Sequence, residues 1–288
     1  MNRLSPERRA QVVGCLVEGM SIRATGRVTG AAKNTVVKLL ADLGAACMEY
    51  QDATLSNLAC RRIECDQTWS FCYSKQKHVP EQHQGTFGYG DVWTWVAIDA
   101  ETKLVPSWLV GERTLADAYV VIEDLRSRLK GRIQLTTDGL RLYIDVVDAL
   151  MRDRVDYATL HKLYGATKDE RTYSPAAGTG TEKRVQMGRP DPLLISTSYV
   201  ERQDLTMRMG MRRFTRLTNA LSKKVENLAH AVSLHFMHYN FCRVHQSLTV
   251  TREDGRRMKR TPAMAAGLTD HAWSVYELVG LLDTPRSN

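Results

Sequence analysis

The sequence contains no apolar run approaching the roughly 20 residues needed to span a bilayer. Its first residues, MNRLSPERRAQVVGCLVEGM, lack the apolar core of a signal peptide. Both absences read as a soluble, cytoplasmic chain with no membrane partner. Cysteine occurs but never as Cys-x-x-Cys: the six thiols are Cys15, Cys47, Cys60, Cys65, Cys72 and Cys242. The clustered Cys60, Cys65 and Cys72 lack the spacing of a zinc ribbon, so free buried thiols in a reducing compartment are expected. Acid is scarce in one place. Between Arg202 and Lys224 stand seven Lys or Arg residues and a single carboxylate, Asp204. There is no internal repeat.

What is present describes a globular protein with a basic surface. The 288 residues are 43% hydrophobic and 25% charged, enough for a sizeable core plus a small accessory unit. A net charge of +8 favours a polyanionic partner, nucleic acid foremost.

Residues 5–44 read as three short helices. Ser5 caps the first with Pro6 at its first position, Ser21 caps the second, and Gly30 closes it before AAKNTVVKLLADLG. This is the pattern of a helix-turn-helix over residues 1–45, with Lys33, Asn34, Thr35 and Lys38 at the exposed start of the helix that would enter a DNA groove. A small bundle used for packing is the plainer reading of the same pattern. Residues 46–60 read as a helical or irregular linker.

From residue 61 the texture alternates. RIECDQTWSFCY, DVWTWVAIDAETK and LVPSWLVGERT read as three antiparallel strands. LADAYVVIEDLRSRLK reads as an amphipathic helix, RIQLTTDG as a strand, LRLYIDVVDAL as a helix and VDYATLHKLY as a fifth strand. The polar stretch 166–194 reads as a flexible basic loop. A long helix is expected near 217–243, and residues 251–288 as a partly ordered basic tail.

The order β-β-β-α-β-α-β is that of the ribonuclease H-like fold, an α/β mixed sheet flanked by helices, here over residues 61–250. In that fold acids stand in the first strand, beyond the fourth strand and on a late helix; those places hold Asp66, Asp138 and Glu201. On the segments ECDQTWSF, LTTDGL, TSYVERQDLTMRMGMRRFTRLTNALSKK and HYNFCRVHQSL, the chain resembles DDE transposases, and more narrowly those of the insertion sequence one family. The resemblance covers about residues 60–268. Better-known members carry a cysteine-rich zinc finger that this chain does not show, which leaves end recognition to the helix-turn-helix.

The resemblance implies that Asp66, Asp138 and Glu201 hold two magnesium ions, with manganese as a substitute, for cleavage and 3′-hydroxyl joining of DNA. It also implies double-stranded DNA partners, namely the terminal repeats of an element and a target, a nucleoid location, and a dimer or higher oligomer with the long helix as candidate interface. Arg202, Arg208, Arg212, Arg213 and Arg216 are expected to meet phosphates, and His245 to support the site or touch DNA. Asp204 is the competing ligand on the same helix face. Asp99 reads as a turn residue, and Glu64 as an acid facing water. A nuclease that cleaves without joining, or a non-catalytic helix-turn-helix regulator, are the rival functions.

Overall fold

The computed structural model describes residues 4–164, 178–215 and 220–283. Three helices open the chain: α1 (Pro6–Val17), α2 (Ile22–Thr29) and α3 (Lys33–Thr54). Ser5 and Ser21 accept hydrogen bonds from Arg8 N and Ala24 N, as their cap positions predict. The expected break after Gly44 does not occur, and α3 runs on through most of the supposed linker. Gly44 is a packing residue. A Cβ there would lie 2.5 Å from His230 Cβ and 2.6 Å from its carbonyl oxygen. Its carbonyl accepts the Ser233 hydroxyl at 2.8 Å. A glycine inside a helix has no side chain to hold a neighbouring helix away, and that close approach is its use here.

A six-stranded mixed sheet forms the centre, in the order β3-β2-β1-β4-β5-β6. Its strands are β1 (Arg62–Cys72), β2 (Gly90–Asp99), β3 (Ser107–Gly111), β4 (Ile133–Asp138), β5 (Val155–Tyr164) and β6 (Gly178–Met187), with α4 (Leu115–Arg128) and α5 (Arg141–Met151) as crossovers. β1, β2 and β3 are antiparallel neighbours, while β4 pairs parallel to β1 and β5 parallel to β4. This is the mixed sheet of the ribonuclease H-like fold. Ile63, Leu135, Val155, Ile98, Ile122 and Val147 fill its core, all but closed to solvent.

β6 corrects the loop expected over 166–194, of which residues 166–177 lie outside the described ones. Residues 178–187 pair antiparallel with β5. The strand was hidden because it lies at the sheet's edge: its side chains are charged and exposed, Val185 is 59% accessible, and its order comes from main-chain bonds rather than burial. Charged residues on an edge strand also discourage further pairing.

α6 (Ser198–Gly210) crosses the sheet, a 3-10 turn follows at Arg212–Phe214, and α7 (Val225–Met237) packs on α3 and β3. α7 begins later than the sequence suggested. It continues as a π-turn, His238–Cys242, that aims buried Asn240 at both backbone groups of Val105, at 3.0 and 2.9 Å. Residues 231–237 are buried within the chain itself, so the part of α7 open to solvent lies in its first half, at Glu226 and its neighbours. The supposed tail is also packed. β7 (His245–Thr251) and β8 (Arg257–Arg260) form a hairpin, α8 (Pro262–Ala265) follows, and α9 (Val275–Gly280) lies on α1. Buried Arg9 reaches Asp283 at 2.9 Å. Among the described residues no helix is long and apolar enough to cross a membrane.

Candidate active site

The register of two strands brings the first acids together. β1 and β4 run parallel with Cys65 opposite Thr137. Asp66 and Asp138 are the next residue on each strand, so their backbones lie one strand spacing apart, roughly 4.8 Å. The Gln67 amide donates to Asp138 Oδ1 at 3.3 Å, as does Leu140 N at 3.2 Å, and Gln67 N donates to Asp66 Oδ1 at 2.7 Å.

α6 supplies two more acids, and β1 itself fixes where that helix starts. Glu64 is fully buried and does not face water. Its Oε2 accepts Tyr199 N at 2.7 Å and Val200 N at 3.1 Å. These are first-turn amides of α6, which has no side-chain cap of its own. A carboxylate at that end satisfies orphan donors and suits the helix dipole. Lys103 Nζ stands 3.3 Å from the Tyr199 ring centroid and completes the clamp. Sequence reasoning missed Glu64 because its partners are backbone groups some 135 residues away. The sequence signal is an acid two residues before Asp66 in a strand whose positions from Gln67 to Cys72 are apolar or polar-neutral.

On α6 the two acids differ. Glu201 is partly exposed and engaged: its Oε2 meets Lys162 Nζ at 2.6 Å and its Oε1 accepts the Thr197 hydroxyl at 2.5 Å. Asp204 is 6% exposed, and its Oδ1 is buried with no hydrogen-bond partner. The hydroxyl of Thr68, two residues beyond Asp66, is buried beside Asp204 and lowers that carboxyl.

The acids act on one another. Burial pushes the Asp66 carboxyl up to about 8, reinforced by Asp204, then Asp138, then Glu201. Burial raises Asp138 too, against its hydrogen bonds from Leu140 and Gln67 and the nearby Arg113 and His161. Burial pushes Asp204 up to about 6, against the pull of Thr68 and Arg208. Among the described residues, no three His, Cys, Asp or Glu side chains are gathered closely enough to hold a metal ion as they stand. The donor set still suits a hard divalent cation. It is all carboxylate oxygen, it holds an orphaned buried oxygen, and its members repel one another until positive charge arrives.

The remaining expected site residues lie apart from this cluster. Lys33, Asn34, Thr35 and Lys38 are exposed at the start of α3, Lys38 being paired with Asp42 at 2.7 Å. Arg202 is exposed on α6, and Arg208 lies near enough to Asp204 to lower it. Arg212 and Arg213 follow α6 on the far side of its C-terminus; Arg216 lies outside the described residues. His245 packs its ring against Tyr239, 4.8 Å between centroids, and its Nε2 is buried without a partner. Burial, with Arg243 and Lys103 nearby, pulls it down to about 4, so it is neutral near pH 7 and makes a poor phosphate contact. Asp99 is a turn residue, accepting from Thr102 N at 3.1 Å. All the cysteines are free, and Cys47, Cys60, Cys65 and Cys72 are buried.

No family model and no curated protein matches the sequence. Among solved structures, the chain is similar to the piggyBac transposase synaptic complex with hairpin DNA. The two share 10% identity over 98% of this chain and 71% of that one, with a TM-score of 0.43. It is also similar to the Mos1 transposase paired-end complex with left transposon end, at 12% identity over 55% and 60% of the two chains, TM-score 0.23. A pre-cleavage Mos1 transpososome shows 11% identity over 83% and 79%, TM-score 0.26. Scores this low leave the fold to rest on its strand order and the function on the chemistry of the site.

Proposed function

We propose that the chain is a DDE transposase of the insertion sequence one type, which cleaves DNA at the ends of its element and joins the 3′-hydroxyls to target DNA. The observation that carries this reading is the pairing of Asp66 and Asp138 at matched positions of adjacent parallel strands, with the acid-bearing α6 tied to the same strand by Glu64. Two divalent ions, magnesium or manganese, would supply charge stabilisation at the entering and leaving oxygens of the phosphodiester.

Asp66 would hold the ions with its neighbours; it is the acid that Asp204, Asp138 and Glu201 each raise. Asp138 stands beside it. Its hydrogen bonds from Gln67 and Leu140 fix the carboxylate's orientation before any ligand arrives. From α6, Glu201 completes the set by resemblance; to do so it must leave Lys162. Asp204 is the second candidate for that place, and its unpartnered oxygen supports it. The attacking group is water and then a DNA 3′-hydroxyl, so no protein nucleophile takes part.

The test is a joining assay with precut duplex ends in magnesium. Target-joined product that disappears in Asp66→Asn supports a transposase. Hydrolysis without joined product identifies a ribonuclease H-like nuclease instead. Duplex binding with neither reaction leaves a non-catalytic DNA-binding protein.

A further inference from the structure

Beyond the last residue of β1 the charge is reversed. A cleft of about 770 Å³ lies between the first three helices and the segment that follows α6. Six cationic side chains line it: Arg23, Lys33, Arg212, Arg213, Lys223 and Lys224; no carboxylate does.

Arg213 is the informative member. Burial pulls its guanidinium down to about 10, with only the Cys72 thiol acting in the opposite sense. Two other enclosed arginines have carboxylates: Arg9 has Asp283, and Arg128 has Asp52 and Asp124 at 2.6 and 2.8 Å. Among the described residues none pairs with Arg213. Arg213 keeps partial contact with solvent, and a half-buried cation without a counterion is a place where an incoming anion is favoured.

The backbone points the same way. Three helix N-termini reach the cleft, those of α2, α3 and α7. Ser21 caps α2, but Ala32 and Lys224 give α3 and α7 no side-chain cap. Their first-turn amides lack a side-chain acceptor, and both dipoles direct positive charge towards the same space.

We propose that this cleft grips the phosphate backbone of one strand of the DNA substrate, so that Lys33 at the start of α3 reads phosphate rather than base edges. The proposal rests on the transposase reading for the identity of the polyanion. Tyr73, the residue that follows β1, lines the cleft, and Asp66 lies seven residues earlier, a path of roughly 23 Å at strand rise. A duplex running from the acids to the cleft therefore covers about seven base pairs at roughly 3.4 Å each.

The experiment measures duplex affinity by fluorescence anisotropy from about 50 to 200 mM salt, for the full chain and two double variants. Lys223→Gln with Lys224→Gln changes only exposed side chains; Arg212→Gln with Arg213→Gln removes the sheltered one. Each lost phosphate contact lowers the slope of log K against log salt by about 0.9 and the affinity about eightfold at 0.1 M. Each pair is expected to lower the slope by roughly 1.8, equally on duplexes of any sequence. Wild-type slopes in both pairs would overturn the proposal, as would a loss confined to one sequence. Joining activity separates the two readings: wild-type slopes with joining that still needs Asp66 discard the cleft alone, while slope losses in a chain that never joins ends discard the transposase alone.

Discussion

The middle of β1 and the cleft just beyond its last residue carry opposite charges: carboxylates gather around Asp66, with Glu201 met by Lys162, and cations gather beyond Cys72. Asp66 is raised by burial and then by Asp204, Asp138 and Glu201, whereas among the described residues no carboxylate pairs with Arg213. Elsewhere charge is matched: Arg128 with two aspartates, Arg132 with Asp156 at 2.7 Å. Charge gathered without full pairing costs stability. Sites that bind ligands are where such costs persist. The acid end asks for cations and the basic end for an anion, and nucleic acid cleaved with the help of divalent ions satisfies both.

Substitutions at the acid end should separate chemistry from binding most sharply. Asp66→Asn and Asp138→Asn are each expected to lower magnesium-dependent joining by roughly 10³-fold or more and to leave duplex affinity within about twofold. A variant that joins normally in magnesium has lost no metal ligand. On α6, Glu201→Gln is expected to abolish joining while Asp204→Asn retains a measurable rate; the reverse order would transfer the ligand role to Asp204.

A smaller effect comes from the anchor of α6. Glu64→Ala leaves the buried amides of Tyr199 and Val200 without acceptors and should lower the unfolding free energy by about 3 kcal/mol. Glu64→Gln, whose carbonyl still accepts, should lose less than half of that. Manganese affinity should fall with Glu64→Ala while duplex affinity holds. Equal denaturation midpoints for Glu64→Ala and the parent would mean that the helix is held by other contacts.

Gly44→Ala works on the opposite end. Its added carbon meets backbone and Cβ atoms of His230, so α3 and α7 must separate, at about 2 kcal/mol of stability. The uncapped ends of these helices both open on the basic cleft, so duplex affinity should weaken while manganese binding is unchanged. Loss of manganese binding in this variant would show that the two ends are not independent.

Much of the acid end was legible in the sequence. Alternating apolar residues around Asp66 mark a central strand, and Thr-Thr-Asp-Gly marks the end of another. The fold's strand order then makes them neighbours. Glu64 was not legible, because a carboxylate that caps a helix across the fold has no local pattern. β6 carries no alternation of apolar residues to reveal it. Gly44 looked like a stop signal because a helix glycine used for close packing and one that ends a helix have the same letter. The basic cleft was legible only in pieces: Lys33 and Arg213 were both expected to meet DNA, but nothing in the sequence puts them on one cavity.

The most direct test of the central claim is the dependence of manganese binding on pH. In the folded chain Asp66 holds its proton up to about 8, against an ordinary 3.8. Between those values the folded state binds a proton the unfolded state releases, so the metal-free protein should lose stability as pH rises from about 4 to about 8. A bound cation replaces that proton. Calorimetric and thermal-melting titrations with manganese should therefore show saturable binding that raises the melting temperature more at pH 8 than at pH 5, and that Asp66→Asn abolishes. No binding by the wild-type chain, or equal binding by Asp66→Asn, would contradict the account.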